Sequence, residues 1–245
     1  MKRIWDLFPV IAARVRADHE KVGLHGHHDW VHAFRVGEIA RQVALEEWGD
    51  ERLSHLAGIS GLCHNADRLL QKEMNVGRRD VPHADIRALL EKQLATETML
   101  FVYGHGGKPL YGYCGPELYA IVQAVLQHDG KNSLEDSSVL IALMDGDRVV
   151  NLDTDLFPRS GQYYHELPVV DYRYFLDDPE ATYRNPKTVL RDIAYSLDWA
   201  NPTSNVCVRT CLGKEMVKRR VTVFQMFFDA LQLQLEEEGM KQYPF

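Results

Sequence analysis

Apolar residues recur along this chain three and four positions apart, while the every-second-residue alternation of a half-buried strand is nearly absent. Ile4, Leu7, Phe8, Ile11 and Val15 share one helical face and predict a first helix over residues 3–17. Asp29 stands where an N-cap or first-turn acid belongs, and a second helix runs from there to about Trp48, with Gly49 as its stop. Its stripe is Val36, Ile39, Ala40 and Val43, with His32 one turn earlier on the same face. A third helix covers about 51–63, and its inner side (Leu53, Leu56, Ala57, Ser60) leads on to His64. Residues 70–82 are polar, contain Gly77 and Pro82, and read as a loop. A fourth helix follows over about 83–99, then a glycine- and tyrosine-rich segment, 101–116, which is either an ordered loop or a short hairpin. Pro116 opens a fifth helix that ends near His128, closed by Gly130. A sixth spans about 135–151. Residues 152–186, with Pro158, Pro168, Pro179 and Pro186, read as a long irregular excursion. A seventh helix covers 187–199, and a last one, about 213–238, aligns Val217, Val221, Phe224, Phe228, Leu231 and Leu235. No repeat or linker interrupts the series. The expected fold is all-α, one compact multi-helix domain over 1–245 with its excursion at about 152–186.

Composition narrows the function classes. The formal charge of −7 argues against broad nucleic-acid binding, which needs a basic surface. No stretch approaches the roughly 18 to 20 apolar residues of a membrane span, and the charged N-terminal segment reads as an amphipathic helix and not a signal peptide. Four scattered cysteines without a CxxC pair fit a reducing, cytoplasmic setting, with Cys207 and Cys211 expected as buried thiols on one helix face. The apolar density of the last helix would permit a homo-oligomer.

Some polar residues do not belong on apolar faces. Asp147 falls on the face of the sixth helix defined by Val139, Leu143 and Val150, and a carboxylate there needs a metal, a cation or an N–H cluster. His64 ends the inner face of the third helix, and His128 that of the fifth (Ile121, Ala124, Val125). Four of the eleven histidines crowd into residues 25–32: His25, His27, His28 and His32. A lone histidine on an apolar face is usually a hydrogen-bonded core residue; several helices each delivering a histidine or an aspartate favour a shared metal. Mixed imidazole and carboxylate donors suit Mn, Fe, Co, Ni or Zn.

Three segments carry a family resemblance: His28-Asp29-Trp30-Val31-His32-Ala33-Phe34-Arg35-Val36, Gly61-Leu62-Cys63-His64-Asn65, and Leu143-Met144-Asp145-Gly146-Asp147-Arg148-Val149-Val150-Asn151. In order and spacing they resemble the HD superfamily of metal-dependent phosphohydrolases: its H-x-x-R-V helix, its namesake His-Asp pair, and its segment with an aspartate directly before an arginine. Weaker matches are His83-Ala84-Asp85-Ile86 and Ala124-Val125-Leu126-Gln127-His128, similar to the segments that hold a second metal in some members, and the region from Leu212 to Val221, similar to the final helix of small bacterial members. Asn65 departs from the family, standing where the namesake aspartate belongs.

The resemblance implies an HD-like bundle that hydrolyses a phosphate ester or anhydride of a nucleotide or similar small metabolite through a metal-activated water. The implied ligands are His32, His64, Asn65 and Asp147, with His83 and His128 as candidates for a second ion; the neutral Asn65 favours one ion over two. Asp67 and Asp129 are the candidate bases, and Arg35 the candidate cation beside the reacting phosphoryl group. Arg68, Lys72, Asn151 and His28 are candidate substrate contacts, with Arg78 and Arg79 as further cations and Arg148 a structural one. Tyr103, Tyr111, Tyr113, Tyr163 and Tyr164 could stack on a base or simply cover the core. A competing reading is a degenerate domain that binds a nucleotide or partner without hydrolysis; a di-iron oxygenase is a distant third.

Overall fold

The computed structural model describes residues 2–24, 26–77, 80–102 and 115–240, with backbone alone for His27 and 96–102. Its helices are α1 (Ile4–Leu7), α2 (Pro9–Val22), α3 (Trp30–Trp48), α4 (Glu51–Cys63), α5 (Ala66–Met74) and α6 (His83–Val102). They continue as α7 (Gly115–Gln127), α8 (Ser138–Val150), α9 (Leu156–Tyr163), α10 (Val189–Tyr195) and α11 (Cys211–Glu237). Short 3-10 turns precede α3 (Gly26–His28) and follow α10 (Ser196–Trp199). The fold is all-α: among the described residues β-pairing is confined to two isolated bridges, Asp171–Phe175 and Thr182–Asn185. No described helix is long and apolar enough to cross a membrane.

Local chemistry sets most boundaries. The Asp29 carboxylate accepts the backbone N–H of His32 at 2.8 Å and starts α3. Asp50 accepts from Arg52 and Leu53 to start α4, and Ser137 accepts from Leu140 to start α8. Gly49 closes α3 at φ 65°, a left-handed conformation that glycine adopts without penalty.

Glycine also sets how closely the central helices approach. A Cβ on Gly61 would lie 2.5 Å from the Cα of Gly37, and one on Gly146 would lie 2.9 Å from the backbone nitrogen of Ala40. Thus α3 meets α4 and α8 nearly backbone to backbone. The main core packs around this crossing, with Ile4, Ile11 and Val15 from the N-terminal helices, Leu90 and Leu94 from α6, and Ile121 from α7. A second core joins Val149, Leu152 and Leu156 to Leu190, Ile193, Val217, Phe224 and Phe228.

Several expectations are corrected. The helix expected over 3–17 is interrupted at Phe8 and resumes at Pro9, where the missing N–H costs nothing, to run to Val22. The expected loop 70–82 is shortened by α5. The excursion at 152–186 contains α9; Pro158 sits in its first turn, where a proline is tolerated. The last helix begins at Cys211. Cys207 is partly exposed in the loop before it and Cys211 is exposed, so they are not buried thiols on one helix face. Cys63 is buried, and burial pushes its thiol up to about 12. Cys114, Tyr103, Tyr111 and Tyr113 lie outside the described residues.

Candidate metal centre

The close crossing of α3, α4 and α8 brings three side chains from distant parts of the chain to one point. His32 comes from the first turn of α3, His64 from the C-terminal cap of α4, and Asp147 from the third turn of α8. One donor atom from each lies within 4.8 Å of the others. His32 Nε2 is 3.1 Å from Asp147 Oδ1, and His64 Nε2 is 3.8 Å from the same oxygen. Two donors each about 2.1 Å from one ion stand about 3.0 Å apart at a right angle and about 3.4 Å apart at the tetrahedral angle. The 3.1 Å pair falls within this range, and His64 would close on a shared cation by a few tenths of an ångström.

Protonation supports the same fit. His64 Nδ1 donates to the carbonyl of Gly61 at 2.7 Å, so its Nε2 carries the lone pair. That Nε2 is buried and has no hydrogen-bond partner among the described residues. His128 is anchored in the same way, its Nδ1 donating to the carbonyl of Val125 at 2.6 Å. The carbonyl fixes the tautomer in both. Among the described residues His32 has no such anchor, and its Nε2 donates to Asp147. A cation would take the place of that proton.

Burial, with a smaller opposing pull from Asp147, lowers the pKa of His32 to about 4. Burial, reinforced by neighbouring His64, lowers His128 to about 4 as well. Both rings are thus neutral near pH 7 and able to act as ligands. Burial works against ionisation of Asp147, yet the His32 hydrogen bond and the nearby histidines hold its carboxyl well below the usual carboxylate range. Its side chain keeps 21% exposure, whereas those of His32 and His64 keep 2%.

The other candidates fall into two groups. Near the centre, Asn151 donates to Asp147 Oδ1 at 2.9 Å and orients the carboxylate. Asn65 is buried, and its amide nitrogen donates to the carbonyl of His28 at 3.2 Å, tying the 3-10 turn to the start of α5. The His28 ring stands edge-on to His32 and to Tyr163, at 6.1 and 6.2 Å between centroids. The His128 ring lies 5.4 Å from His64, with its Nε2 3.6 Å from Asp129 Oδ2, and the charge of Asp67 reaches it. Arg68 lies 3.9 Å from the Asp67 carboxylate.

The second group is engaged elsewhere. His83 is exposed at the start of α6 and is not among the residues gathered here. Lys72 donates to the carbonyl of Gly23 and so holds the C-terminal end of α2. Arg35 is paired with Asp153 and Asp155 on the wall of a cleft of about 440 Å³, none of whose lining residues belongs to the His–His–Asp group. Arg148 is buried and donates to Asn132 and to the carbonyls of Gly130 and Cys207, a structural role. His25, Arg78 and Arg79 lie outside the described residues.

Three residues that the sequence did not single out matter here. Arg159, nearly buried on α9, extends its positive field to His32 and Asp147. Asp145, not Asp147, is the fully buried acid of α8: its Oδ2 accepts the backbone N–H groups of Arg209 and Thr210 at 2.9 and 2.7 Å and fixes the start of α11. His19, 1% exposed on α2, donates from Nδ1 to the carbonyl of Val15, and burial lowers its pKa. The signal for Arg159 was present, since Leu156, Ser160 and Tyr164 recur at helical spacing around it.

Comparison with known proteins adds no name: no family model, no curated protein and no solved structure gives a significant match to this chain.

Proposed function

We propose that this protein is a metal-dependent phosphohydrolase of the HD type, acting on a phosphate ester or anhydride of a nucleotide or similar small metabolite. The observation that carries the proposal is the convergence of His32, His64 and Asp147, with the His64 lone pair aimed at Asp147 and left without a partner. These three residues would hold one divalent transition ion. Such an ion acidifies water and polarises a phosphoryl oxygen.

The remaining roles belong to the chain. Asn151 keeps Asp147 oriented. Arg159 supplies positive charge where a phosphoryl group gathers negative charge, replacing Arg35, which is occupied by Asp153 and Asp155. Asp129, whose Oδ2 lies 3.6 Å from His128 Nε2, or Asp67, whose charge reaches His128, would take up the proton that a nucleophilic water gives up. The T-shaped pair of His28 and Tyr163 lines the approach and offers a face for a base or sugar.

The second reading, a regulatory domain that binds without hydrolysis, draws on Asn65, which brings no negative charge to the centre. Protein stripped by a chelator and reloaded with Mn, Co or Ni would be assayed against phosphorylated metabolites and for metal content. Turnover that needs the metal and disappears in His64→Ala is the expected result. Metal uptake without turnover, with activity appearing only in Asn65→Asp, would favour the regulatory reading. No uptake of any of the three ions would refute both.

A further inference from the structure

Helix α11 carries two apolar stripes. Val217, Phe224 and Phe228 are buried against the second core. On the other side Val223, Met226 and Leu233 are 44%, 66% and 56% exposed. With about 3.6 residues per turn, Val223, Met226, Ala230 and Leu233 fall within one narrow arc opposite Phe224 and Phe228. Past Phe228 the helix continues to Glu237 with no buried residue. There Leu231 packs only partly against the second core while Leu233 is exposed, and a helical end so lightly supported is marginal on its own.

The charges on this helix are divided along its length. Lys214, Lys218, Arg219 and Arg220 stand in the first half against one acid, Glu215; Asp229, Glu236 and Glu237 stand in the second. Arg219 and Glu237 are about five full turns apart, so both lie on the outer stripe, one at each end of the exposed apolar run.

We propose that this outer stripe pairs with the same stripe of a second copy of the chain, antiparallel, about a two-fold axis near Phe228. In that register Val223 meets the partner's Leu233, Met226 meets the partner's Ala230, and Arg219 meets the partner's Glu237. A two-fold interface makes each contact twice. Parallel pairing would set the basic half on the basic half, so the charge division selects the antiparallel form.

Sedimentation equilibrium of the full chain from about 1 to 100 μM tests this, because a dimer held by mass action changes with concentration. The wild type is expected to dimerise. Met226→Glu should be monomeric throughout, with an unchanged far-UV spectrum because the side chain it replaces is exposed. Arg219→Glu and Glu237→Arg should each weaken the dimer by about tenfold through two like-charge contacts, and the double exchange should restore it. A wild type that stays monomeric, a dimer that survives Met226→Glu, or a double exchange no tighter than the single variants would overturn the proposal.

Discussion

Replacing Gly61 by alanine tests whether the helix crossing builds the candidate centre. The new Cβ would lie 2.5 Å from Gly37 Cα, 2.6 Å from Gly37 N and 2.9 Å from Val36 C. All three are backbone atoms, so no side chain can swing aside. Ordinary carbon contacts begin at about 3.5 Å, so α3 and α4 must separate locally by about 1 Å. Overpacking of this kind costs about 1–3 kcal/mol, and rigid backbone puts it at the upper end. Alanine returns about 1 kcal/mol of helix propensity, which leaves a net loss of about 2 kcal/mol. The same displacement reaches the ligands, because the Gly61 carbonyl holds His64 Nδ1 and His32 lies on the opposing helix. Urea unfolding of the metal-free protein should show a lower midpoint at an unchanged slope, and calorimetric titration with Mn or Co should show weaker binding. An alanine variant of equal or greater stability that binds metal as the wild type does would refute the argument.

Three further outcomes are expected. Asp145→Ala leaves the N–H groups of Arg209 and Thr210 without their acceptor, a loss of about 3 kcal/mol at about 1–3 per buried donor; an unchanged urea midpoint would contradict it. In the metal-free protein, His32 and His128 have folded-state values of about 4 against 6.5 when unfolded. The unfolded chain therefore binds protons first as pH falls, and stability should decline between about pH 6.5 and 4; a flat melting temperature across that window would show that the rings are not neutral and buried. Arg159→Met should lower kcat/KM by about 100-fold, the scale for losing one preorganised charge partner, while Lys72→Met should leave it unchanged because Lys72 holds Gly23; the reverse ranking in steady-state kinetics would return the substrate to the Lys72 side.

The helices were legible because apolar spacing and caps agreed: Asp29 and Gly49 bound α3, and Ser137 and Asn151 bound α8, near where the pattern places them. His32, His64 and Asp147 were legible as polar residues at positions that apolar neighbours claim. Other features were hidden for physical reasons. α8 is buried almost all round, from Val139 and Leu140 through Met144 to Val150, so no polar face indicates which acid points inward, and Asp145 was passed over for Asp147. Pro158 has the appearance of a breaker, although it is harmless in the first turn of α9. The engagement of Arg35 with Asp153 and Asp155 joins residues far apart in sequence, and local spacing carries no trace of it.

Asn65 bears on both the number of ions and the chemistry. Two cations held close together need negative charge between them, and a bridging carboxylate is the usual source. Here the position next to His64 carries an amide whose nitrogen is already given to the His28 carbonyl. An aspartate in its place would set a carboxylate against that carbonyl and lose the bond that ties the 3-10 turn to α5. The turn carries His28 and precedes His32, so the exchange of acid for amide gives up charge at the centre and gains order at its rim. Asp129 lies beside His128, with its Oδ2 3.6 Å from Nε2, and the charge of Asp67 reaches the same ring. In the proposed reading this charge distribution favours one ion, which His32, His64 and Asp147 would hold, while His128 and the neighbouring Asp129 would handle protons.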